Sequence, residues 1–356
     1  MKWLIFEKES QNYENSLARY QNFIDSSKFT GIWHQIDWLS FQIASKKVVD
    51  GFFFGIEKEN NIILAGLFLI YKSKNFKYGY IPAGFLYFDI NDDIYNFFLQ
   101  NIDDIAKKNN LLFTSVDSIT PKNDMLEQII QKSKNHKLNV KLPIPQYTNV
   151  IDLNLSEEEI LKQMKPKGRY NIKLAEKKDV KVRIGDINDV SIFYQILKET
   201  TERDGFRPNP EEYYSIMLEK LKNSIILVAT HETDILSCGI FTYTKYQGLY
   251  YYGASSNLKR NFMSPYLLQW EAIKIAKQKG CDYFDFLGIA APDNPTDPLS
   301  GVTDFKLKFS ENIICFQTPY HIIHKKFIYS LFGLIKNIKA FLSKKHSKKT
   351  SIKEKE

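Results

Sequence analysis

From residue 1 to about residue 150, apolar positions alternate between short continuous runs and helical spacings. The runs predict buried strands at Gly51–Ile56, Ile62–Tyr71 and Leu111–Val116, because they are rich in β-branched and aromatic residues. Apolar residues with a helical period predict helices over Asp92–Lys108 and Asp124–Lys134. This alternation of strands and helices predicts an α/β domain.

A second unit of the same class is predicted after the proline-containing stretch 143–145. Asn149–Asp152 is apolar enough for a strand that opens this unit. Ser156 precedes three glutamates, which predicts a capped helix with acidic side chains at its favourable end. Pro166 ends that helix, and another helix is predicted from near Lys167.

An aromatic stretch, a capped apolar helix and a second apolar stretch follow one another in the last third of the chain. Leu249–Gly253 and Cys281–Ile289 predict the two strands. Ser264, followed by proline, is the expected N-cap of the helix, and Gly280 is its expected end. Strands joined in this way are parallel, and ligands collect beyond their carboxyl ends. We therefore expect Tyr252 and the loop after the second strand to border one crevice.

Composition narrows the classes of protein. The chain of 356 residues is long enough for two domains with cores of their own. Its net charge of +8 and pI near 9.0 predict an anionic partner, such as tRNA, a nucleotide-linked sugar or a membrane surface. Cys238, Cys281 and Cys315 have neither metal-ligand nor disulfide-framework spacing, so we expect no metal site and a reducing compartment.

Both ends of the chain bear on localisation. The apolar start, Met1–Phe6, is too short for the core of a signal peptide, so a cytoplasmic location is expected. Phe327–Leu342 has apolar residues at helical spacing among lysines and is too charged to span a bilayer. It fits either a helix packed on the body or a peripheral contact with an anionic leaflet. Residues 343–356 predict a disordered basic tail.

Two basic stretches are candidate contacts for RNA or phosphate. Arg169, Lys173 and Lys177 recur every four residues, so they form one stripe on a helix. Lys259 and Arg260 lie in the loop before the capped helix, close to a helix N-terminus. A solvated helix face and two solvated loop cations are the alternatives.

Several motifs occur in a fixed order along the chain. They are K-P-K-G-R-Y-N-I-K-L-A-E-K-K-D-V from Lys165, E-R-D-G-F from Glu202 with Tyr213-Tyr214 after it, Y-Y-Y-G-A-S-S from Tyr250, R-N-F-M-S-P-Y-L-L-Q-W-E-A-I from Arg260, F-D-F-L-G-I from Phe284 and G-V-T-D-F-K-L-K-F from Gly301. In these motifs the chain resembles the Fem family of aminoacyltransferases, which build peptidoglycan interpeptide bridges. The resemblance is strongest from about residue 147 to 316.

The resemblance implies an α/β fold of two tandem GNAT-like domains with mixed sheets flanked by helices. Domain 1 is expected over residues 1–150, completed by about 317–342, and domain 2 over 151–316. GNAT enzymes that use coenzyme A carry a glycine-rich turn before the helix, since glycine lets the backbone approach the pyrophosphate. The loop 257–264 has no glycine, which argues against coenzyme A as the donor.

The family pattern also implies catalytic residues. Lys306 is expected at the end of a loop, where it stabilises the oxyanion that forms as an amine attacks an aminoacyl ester, and Phe305 contributes its backbone. If the segment is a strand, Lys308 shares a face with Lys306, and both are then ordinary strand cations. Asp117 matches a strand-end aspartate that acts as the general base, although Ser118 stands where the family usually has proline.

Substrate contacts carry over only in part. The family implies an arginine and a tyrosine four residues apart; Tyr213 matches, but the arginine position is Asn209, and Arg207 is the nearest substitute. Tyr252 matches the tyrosine of the aromatic strand, with Tyr250 expected on the same face. Gln42 stands where a basic residue is expected after the first-domain tryptophan. These departures leave the acceptor open.

The resulting hypothesis is a monomeric enzyme that uses aminoacyl-tRNA as co-substrate, without a cofactor. It adds an amino acid to the stem-peptide amine of a peptidoglycan precursor, either UDP-MurNAc-pentapeptide or a lipid-linked form. The alternatives are another GNAT-type N-acyltransferase acting on a cell-envelope polymer, and a non-catalytic binding protein. Only the first requires that ribonuclease treatment of the donor abolish transfer.

Overall fold

Two mixed β-sheets flanked by helices make up the computed structural model, which describes residues 1–6, 13–204, 207–294 and 296–333. The strands are β1 (Lys2–Phe6), β2 (Asp50–Lys58), β3 (Asn61–Lys72), β4 (Lys77–Ile81), β5 (Leu86–Tyr87), β6 (Leu111–Val116), β7 (His136–Leu138), β8 (Tyr147–Asp152), β9 (Lys181–Ile184), β10 (Ser224–His231), β11 (Asp234–Tyr243), β12 (Gln247–Ser255), β13 (Tyr283–Asp285), β14 (Ile313–Cys315) and β15 (Tyr320–Ile323). The helices are α1 (Tyr13–Ser26), α2 (Ile36–Ala44), α3 (Asp92–Asn109), α4 (Asp124–Lys132), α5 (Glu157–Gln163), α6 (Pro166–Lys177), α7 (Asp189–Asp204), α8 (Glu211–Lys220), α9 (Ser264–Gln278) and α10 (Ser300–Lys306).

The chain passes from one sheet to the other and returns. The first sheet has the order β1-β2-β3-β4-β6-β15-β7, with β5 paired to β3, and the second has the order β14-β8-β13-β12-β11-β10-β9. Strand β8 already belongs to the second sheet, whereas β15 pairs with β6 and β7 in the first. We therefore propose to place the domain boundary at Tyr147, a few residues before the position predicted from the sequence.

The predicted strand–helix–strand unit is present, with two local corrections. Strands β12 and β13 are parallel, and α9 connects them. The second strand is much shorter than predicted, because Leu287 and Gly288 take positive φ angles of 50° and 74° and turn the chain out of the sheet. Ser264 is the first helical residue rather than the cap; Met263, with φ 57°, is the cap residue.

Three clusters of buried residues hold the layers together. One lies on the outer face of each sheet, where the first is covered by α3 and α4 and the second by α6 and α9. The third contains residues of both sheets together with α2, α7 and α8. The facing surfaces of the two sheets therefore share one core, and any crevice between them is lined by both halves of the chain.

The ends of the chain are described only in part. Residues 326–333 are helical, and the rest of the predicted helix over Phe327–Leu342 lies outside the described residues, as does the predicted tail 343–356. In the parts of the chain that the structure describes, no helix combines the length and apolar content needed to cross a membrane. The same ranges contain no group of three His, Cys, Asp or Glu side chains arranged to hold a metal ion.

A close backbone contact between α6 and the end of α10 gives a stability prediction. A Cβ added to Gly168 is placed 2.4 Å from the carbonyl oxygen of Lys308, whereas one added to Gly301 in α10 meets nothing within 4 Å. We expect Gly168→Ala to lower the free energy of unfolding by about 1–3 kcal/mol through overpacking. Gly301→Ala, the matched control, is expected to raise it by about 0.5 kcal/mol by restricting the unfolded chain. Urea denaturation measures both, and equal effects of the two variants would contradict the proposed contact.

Candidate active site

A bulge in β12 sends its tyrosines to opposite faces of the second sheet. Ile240 of β11 is opposite Tyr252, but the next residue, Phe241, is opposite Tyr250, so Tyr251 is the extra residue. Tyr250 stacks on Phe241 in the outer core of this sheet, with ring centroids 5.4 Å apart. Tyr251 and Tyr252 pack against the core that the two sheets share. The expectation that Tyr250 and Tyr252 share a face was therefore wrong.

Asp117 lies at the carboxyl end of β6, next to this shared core, and is buried. Its carboxylate accepts hydrogen bonds from Tyr80 Oη at 2.6 Å, from the backbone N–H of Ala83 at 2.8 Å and from that of Ile144 at 3.2 Å. Burial raises the pKa of Asp117 to about 7 although these three donors oppose the rise. Its charge in turn helps to raise the pKa of Tyr251, which places the two side chains in one electrostatic environment. A carboxylate of this kind can take up a proton near neutral pH.

Three of the residues predicted to bind substrate meet beside Asp117. Burial raises the pKa of Tyr213, and the neighbouring side chains of Tyr252 and Gln42 oppose that rise, so the three groups lie close together. Tyr71 donates to Oε1 of Gln42 at 3.2 Å. Gln42 is buried, and Tyr213 and Tyr252 are half-buried. The region where the sequence predicts a crevice therefore contains hydroxyl and amide groups from both halves of the chain.

A lysine that the sequence reasoning missed lies at the edge of this crevice. Lys47, in the loop after α2, donates to Oδ1 of Asn209 at 2.9 Å, and its ammonium lies 5.3 Å from the centroid of the Tyr213 ring. Arg207, the substitute predicted from the sequence, is exposed. A cation is thus present beside Asn209 although position 209 itself is neutral. The one indication in the sequence that Lys47 belongs to this site was its position shortly after Gln42.

Lys306 is a second buried ionisable group. It is 6% exposed, and its ammonium donates to the carbonyl oxygens of Leu287 and of Gly288, the latter at 2.7 Å. It also lies 5.8 Å from the centroid of the Tyr250 ring. Burial lowers the pKa of Lys306 to about 7, and the nearby charge of Asp285 opposes this fall. The lysine is therefore a buried, hydrogen-bonded group with a pKa near neutrality.

The sequence predicts Lys306 either at the end of a loop or in a strand, and the structure shows neither. Phe305 and Lys306 end helix α10 rather than a loop or a strand, because the chain from Ser300 onward forms successive helical turns. Phe305 packs edge-on against Tyr266, with ring centroids 5.1 Å apart. Lys308 lies after the helix and donates to the backbone carbonyl of Asp304 at 2.6 Å. Lys306 and Lys308 therefore share no strand face, and only Lys306 is buried.

A short stretch of backbone connects Asp117 with Lys306. Ile144 donates its N–H to Asp117, and the next residue, Pro145, lies against Gly288, where an added Cβ comes within 2.5 Å of the proline ring. The carbonyl of Gly288 in turn accepts from Lys306. Because Gly288 has a φ of 74° and no room for a side chain, glycine is the residue that suits this position.

The predicted basic stripe on α6 is divided by the structure. Arg169 is half-buried, and its guanidinium donates to the backbone carbonyls of Lys162 and Met164, so it caps the end of α5. Lys173 and Lys177 are exposed. The phosphate-binding role of Arg169 stays a prediction. The backbone carbonyls of α5 compete with phosphate for its guanidinium.

The two loop cations before α9 also differ from each other. The ammonium of Lys259 lies 2.8 Å from Oδ2 of Asp234 and 2.9 Å from Nδ1 of His231, whereas Arg260 is exposed. The charge of Asp234 raises the pKa of Lys259. The carboxylate of Asp234 therefore competes with phosphate for Lys259. Arg260 has no such competitor among its described contacts.

Comparison with known proteins identifies the family. The model of the FemAB family matches residues 16–232 and 226–337 of the chain. The chain belongs to the FemAB family. This FemAB-family protein is 22% identical to aminoacyltransferase FemA of Staphylococcus aureus, over 80% of the chain and 89% of that relative. The predicted family is confirmed.

Solved structures support the fold of this FemAB-family protein. The crystal structure of FemX superposes with a TM-score of 0.80 at 16% identity, covering 93% of this chain and 99% of that one. A tandem GNAT protein from the clavulanic acid biosynthesis pathway superposes with a TM-score of 0.51 at 8% identity, covering 90% and 97%. The predicted α/β fold of GNAT type is confirmed. Together with the family, these findings make the protein an aminoacyltransferase.

The hydrogen bond from Tyr80 to Asp117 predicts a measurable change in titration. A hydrogen bond to a charged group contributes about 1.5 kcal/mol, or about one pH unit in a pKa. Tyr80→Phe removes a donor that stabilises the carboxylate, so the pKa of Asp117 is expected to rise from about 7 by about that amount. Carboxyl ¹³C NMR measures it. Tyr78→Phe, on the same strand, is the control; an unchanged Asp117 pKa in Tyr80→Phe would argue that the bond is absent in solution.

Proposed function

We propose that this protein transfers an amino acid from aminoacyl-tRNA to the stem-peptide amine of a peptidoglycan precursor. The observation that carries this proposal is a buried carboxylate and a buried lysine, both with pKa values of about 7, that are linked through Ile144–Pro145 and Gly288 in a FemAB-family aminoacyltransferase. The first group suits the removal of a proton and the second the stabilisation of negative charge.

The reaction assigns one task to each group. The acceptor amine loses a proton to Asp117 and attacks the ester carbonyl, so that a C–N bond forms. Negative charge then develops on the carbonyl oxygen. Leu287 and Gly288 accept two hydrogen bonds from the Lys306 ammonium, which leaves its third N–H for that oxygen. As the tetrahedral intermediate collapses, the ester C–O bond breaks, and the ribose oxygen of the tRNA leaves as a hydroxyl with the second proton that the attacking nitrogen loses.

The crevice beside Asp117 suits a polar acceptor that carries a diphosphate. Tyr213, Tyr252 and Gln42 offer hydroxyl and amide groups, and Lys47 supplies a cation at the edge. Both UDP-MurNAc-pentapeptide and a lipid-linked precursor contain this diphosphate, so both belong in the assay. Phe327 is 84% exposed in the helical stretch 326–333, beside Lys325 and Lys326, which supports a peripheral contact with an anionic membrane surface on the cytoplasmic side.

The surface formed by α6 and the loop before α9 suits the tRNA. The ring of Phe262 joins the two elements, since Lys178 after α6 lies 5.3 Å from its centroid and Lys259 of the loop lies 5.7 Å from it. Lys173 and Lys177 are exposed along the helix, and Tyr170 is 63% exposed. Lysines that contact phosphates and an aromatic ring that stacks on a base are the usual components of an RNA-binding surface.

A transfer assay tests the proposed function. The protein is incubated with a mixture of radiolabelled aminoacyl-tRNAs and, in separate arms, with UDP-MurNAc-pentapeptide or the lipid-linked precursor. We expect labelled product in at least one arm and none after the donor is treated with ribonuclease. Product that survives ribonuclease would refute the dependence on tRNA, and acyl transfer from coenzyme A instead would support the general N-acyltransferase.

The variant Lys306→Ala separates enzyme from binding protein in the same assay. Loss of a group that stabilises the oxyanion is expected to lower kcat by about 100- to 1000-fold. Binding of the acceptor is expected to change little, because the ammonium of Lys306 hydrogen-bonds to Leu287 and Gly288 rather than to the residues proposed to bind the acceptor. The mass and circular dichroism spectrum of the variant provide the control for folding. A wild-type rate in a folded variant would favour a role without catalysis.

The exposed lysines of α6 give a further prediction. Lys173→Glu combined with Lys177→Glu reverses two charges on the proposed RNA surface, so we expect KM for aminoacyl-tRNA to rise about tenfold or more at low salt, with a weaker dependence on salt. KM for the acceptor should stay within twofold. Lys108→Glu, on the exposed face of α3, is the matched control. If Lys108→Glu raised the KM for aminoacyl-tRNA as much as the double variant does, the effect would come from the overall charge of the protein rather than from this surface.

A further inference from the structure

A third ionisable side chain, Asp285, is buried beside Lys306 and takes no part in the proposed proton transfer or charge stabilisation. It is the last residue of β13 and is 2% exposed. Its carboxylate accepts hydrogen bonds from Thr148 Oγ1, from the backbone N–H of Leu287 at 2.8 Å and from Gln247 Nε2 at 3.2 Å. Burial raises the pKa of Asp285, and the three donors around its carboxylate oppose that rise by stabilising the ionised form.

Leu287 connects this carboxylate with the lysine. Its N–H donates to Asp285, and its carbonyl accepts from Lys306. Its φ of 50° lies in the left-handed region, which is costly for a branched side chain and persists only where neighbouring contacts hold it. The hydrogen bond that the N–H of Leu287 donates to Asp285 is such a contact. Without it, the turn that carries both carbonyl acceptors of Lys306 loses its anchor to β13.

Charge provides a second connection. The charge of Asp285 acts on Lys306 in the direction that favours the ammonium, against the effect of burial. Tyr250 of β12 also faces this lysine, and Tyr266 of α9 packs on the neighbouring Phe305; burial raises the pKa of both tyrosines, so both stay neutral. Asp304, on the same helix, is exposed and therefore solvated. Among the described residues, Asp285 is the buried carboxylate that faces Lys306.

We propose that Asp285 is the positioning residue of Lys306, because it anchors the Leu287–Gly288 turn whose carbonyls hold the ammonium. This inference rests on the proposed function only for the catalytic meaning of Lys306. The carboxylate itself touches no reacting atom, because its hydrogen bonds go to Thr148, Leu287 and Gln247. Its effect is therefore expected in the ionisation of Lys306 rather than in substrate binding.

The experiment compares Asp285→Asn with Asp282→Asn. Asp282 lies three residues earlier and lines the same 270 Å³ cavity as Asp285, but it contacts neither the turn nor the lysine in the described hydrogen bonds. Wild-type kcat is expected to pass through a maximum near pH 7, because it rises as Asp117 ionises and falls on a descending limb as Lys306 loses its charge. In Asp285→Asn this descending limb is expected to move to lower pH by about one unit, a tenfold loss of kcat above neutrality. Asp282→Asn should keep the wild-type limb and KM.

A direct titration makes the test independent of the transfer reaction. In protein labelled with ¹³Cε-lysine, the signal absent from Lys306→Met reports the pKa of Lys306 by NMR. That pKa should fall in Asp285→Asn and stay unchanged in Asp282→Asn. If the wild-type protein transfers nothing from aminoacyl-tRNA, the proposed function fails, whereas the NMR titration still decides whether Asp285 controls Lys306.

A second variant covers the case in which Asp285→Asn does not fold. Thr148→Val removes one donor from the carboxylate and keeps the shape of the side chain, so the charged form of Asp285 is less stable and the pKa of Lys306 should fall by a smaller amount. An unchanged Lys306 pKa in whichever of the two variants folds would overturn the proposal. An equal shift in Asp282→Asn would also overturn it, since the effect would then be one of general charge.

Discussion

The burial of Lys306 is the constraint on which the organisation of this site depends. A lysine that is 6% exposed needs acceptors for its ammonium, since an unpaired buried charge is among the costliest features in a protein. The acceptors are the carbonyls of Leu287 and Gly288, which point toward the lysine because both residues have positive φ angles. The shortness of β13, the glycine at 288 and the anchoring carboxylate of Asp285 all follow from the need to hold that turn. The geometry around one ammonium thus explains several local departures from regular structure.

The bulge in β12 directs neighbouring tyrosines of one strand to opposite faces of the sheet. Without it, Tyr250 and Tyr252 would point to the same face, because side chains alternate along a strand. With one extra residue, Tyr250 lies near Lys306 on the outer face, while Tyr251 and Tyr252 lie with Asp117 in the core that the sheets share. Different tyrosines of one strand therefore contribute to the surroundings of Lys306 and of Asp117. A slip by one residue would remove this division.

Positive charge in this protein has several separate uses. Arg169 caps α5, and Lys259 pairs with Asp234, so two of the cations expected to bind phosphate already have partners within the fold. Lys173 and Lys177 remain on the surface. Lys47 brings a cation to Asn209 from a different part of the chain. A count of lysines and arginines in a motif is accordingly a poor guide to which of them meets a ligand, because backbone carbonyls and carboxylates compete for the same charges.

The sequence by itself determined the fold class, the family and most elements of secondary structure. The helices over Asp92–Lys108 and Asp124–Lys134 and the parallel pair around α9 were predictable because apolar periodicity and caps are local properties of the chain. It also singled out Lys306 and Asp117, although only through resemblance to a family.

Tertiary structure alone decided how these residues are used. The helical environment of Lys306, the bulge at Tyr251, the position of Lys47 and the anchoring by Asp285 all depend on contacts between segments far apart in the chain, such as Thr148 with Asp285. The pKa values of Asp117 and Lys306 depend on burial, which no local pattern of residues specifies. The sequence therefore determines which chemical groups are present. The tertiary structure determines their ionisation and their partners, because both depend on what packs around each group.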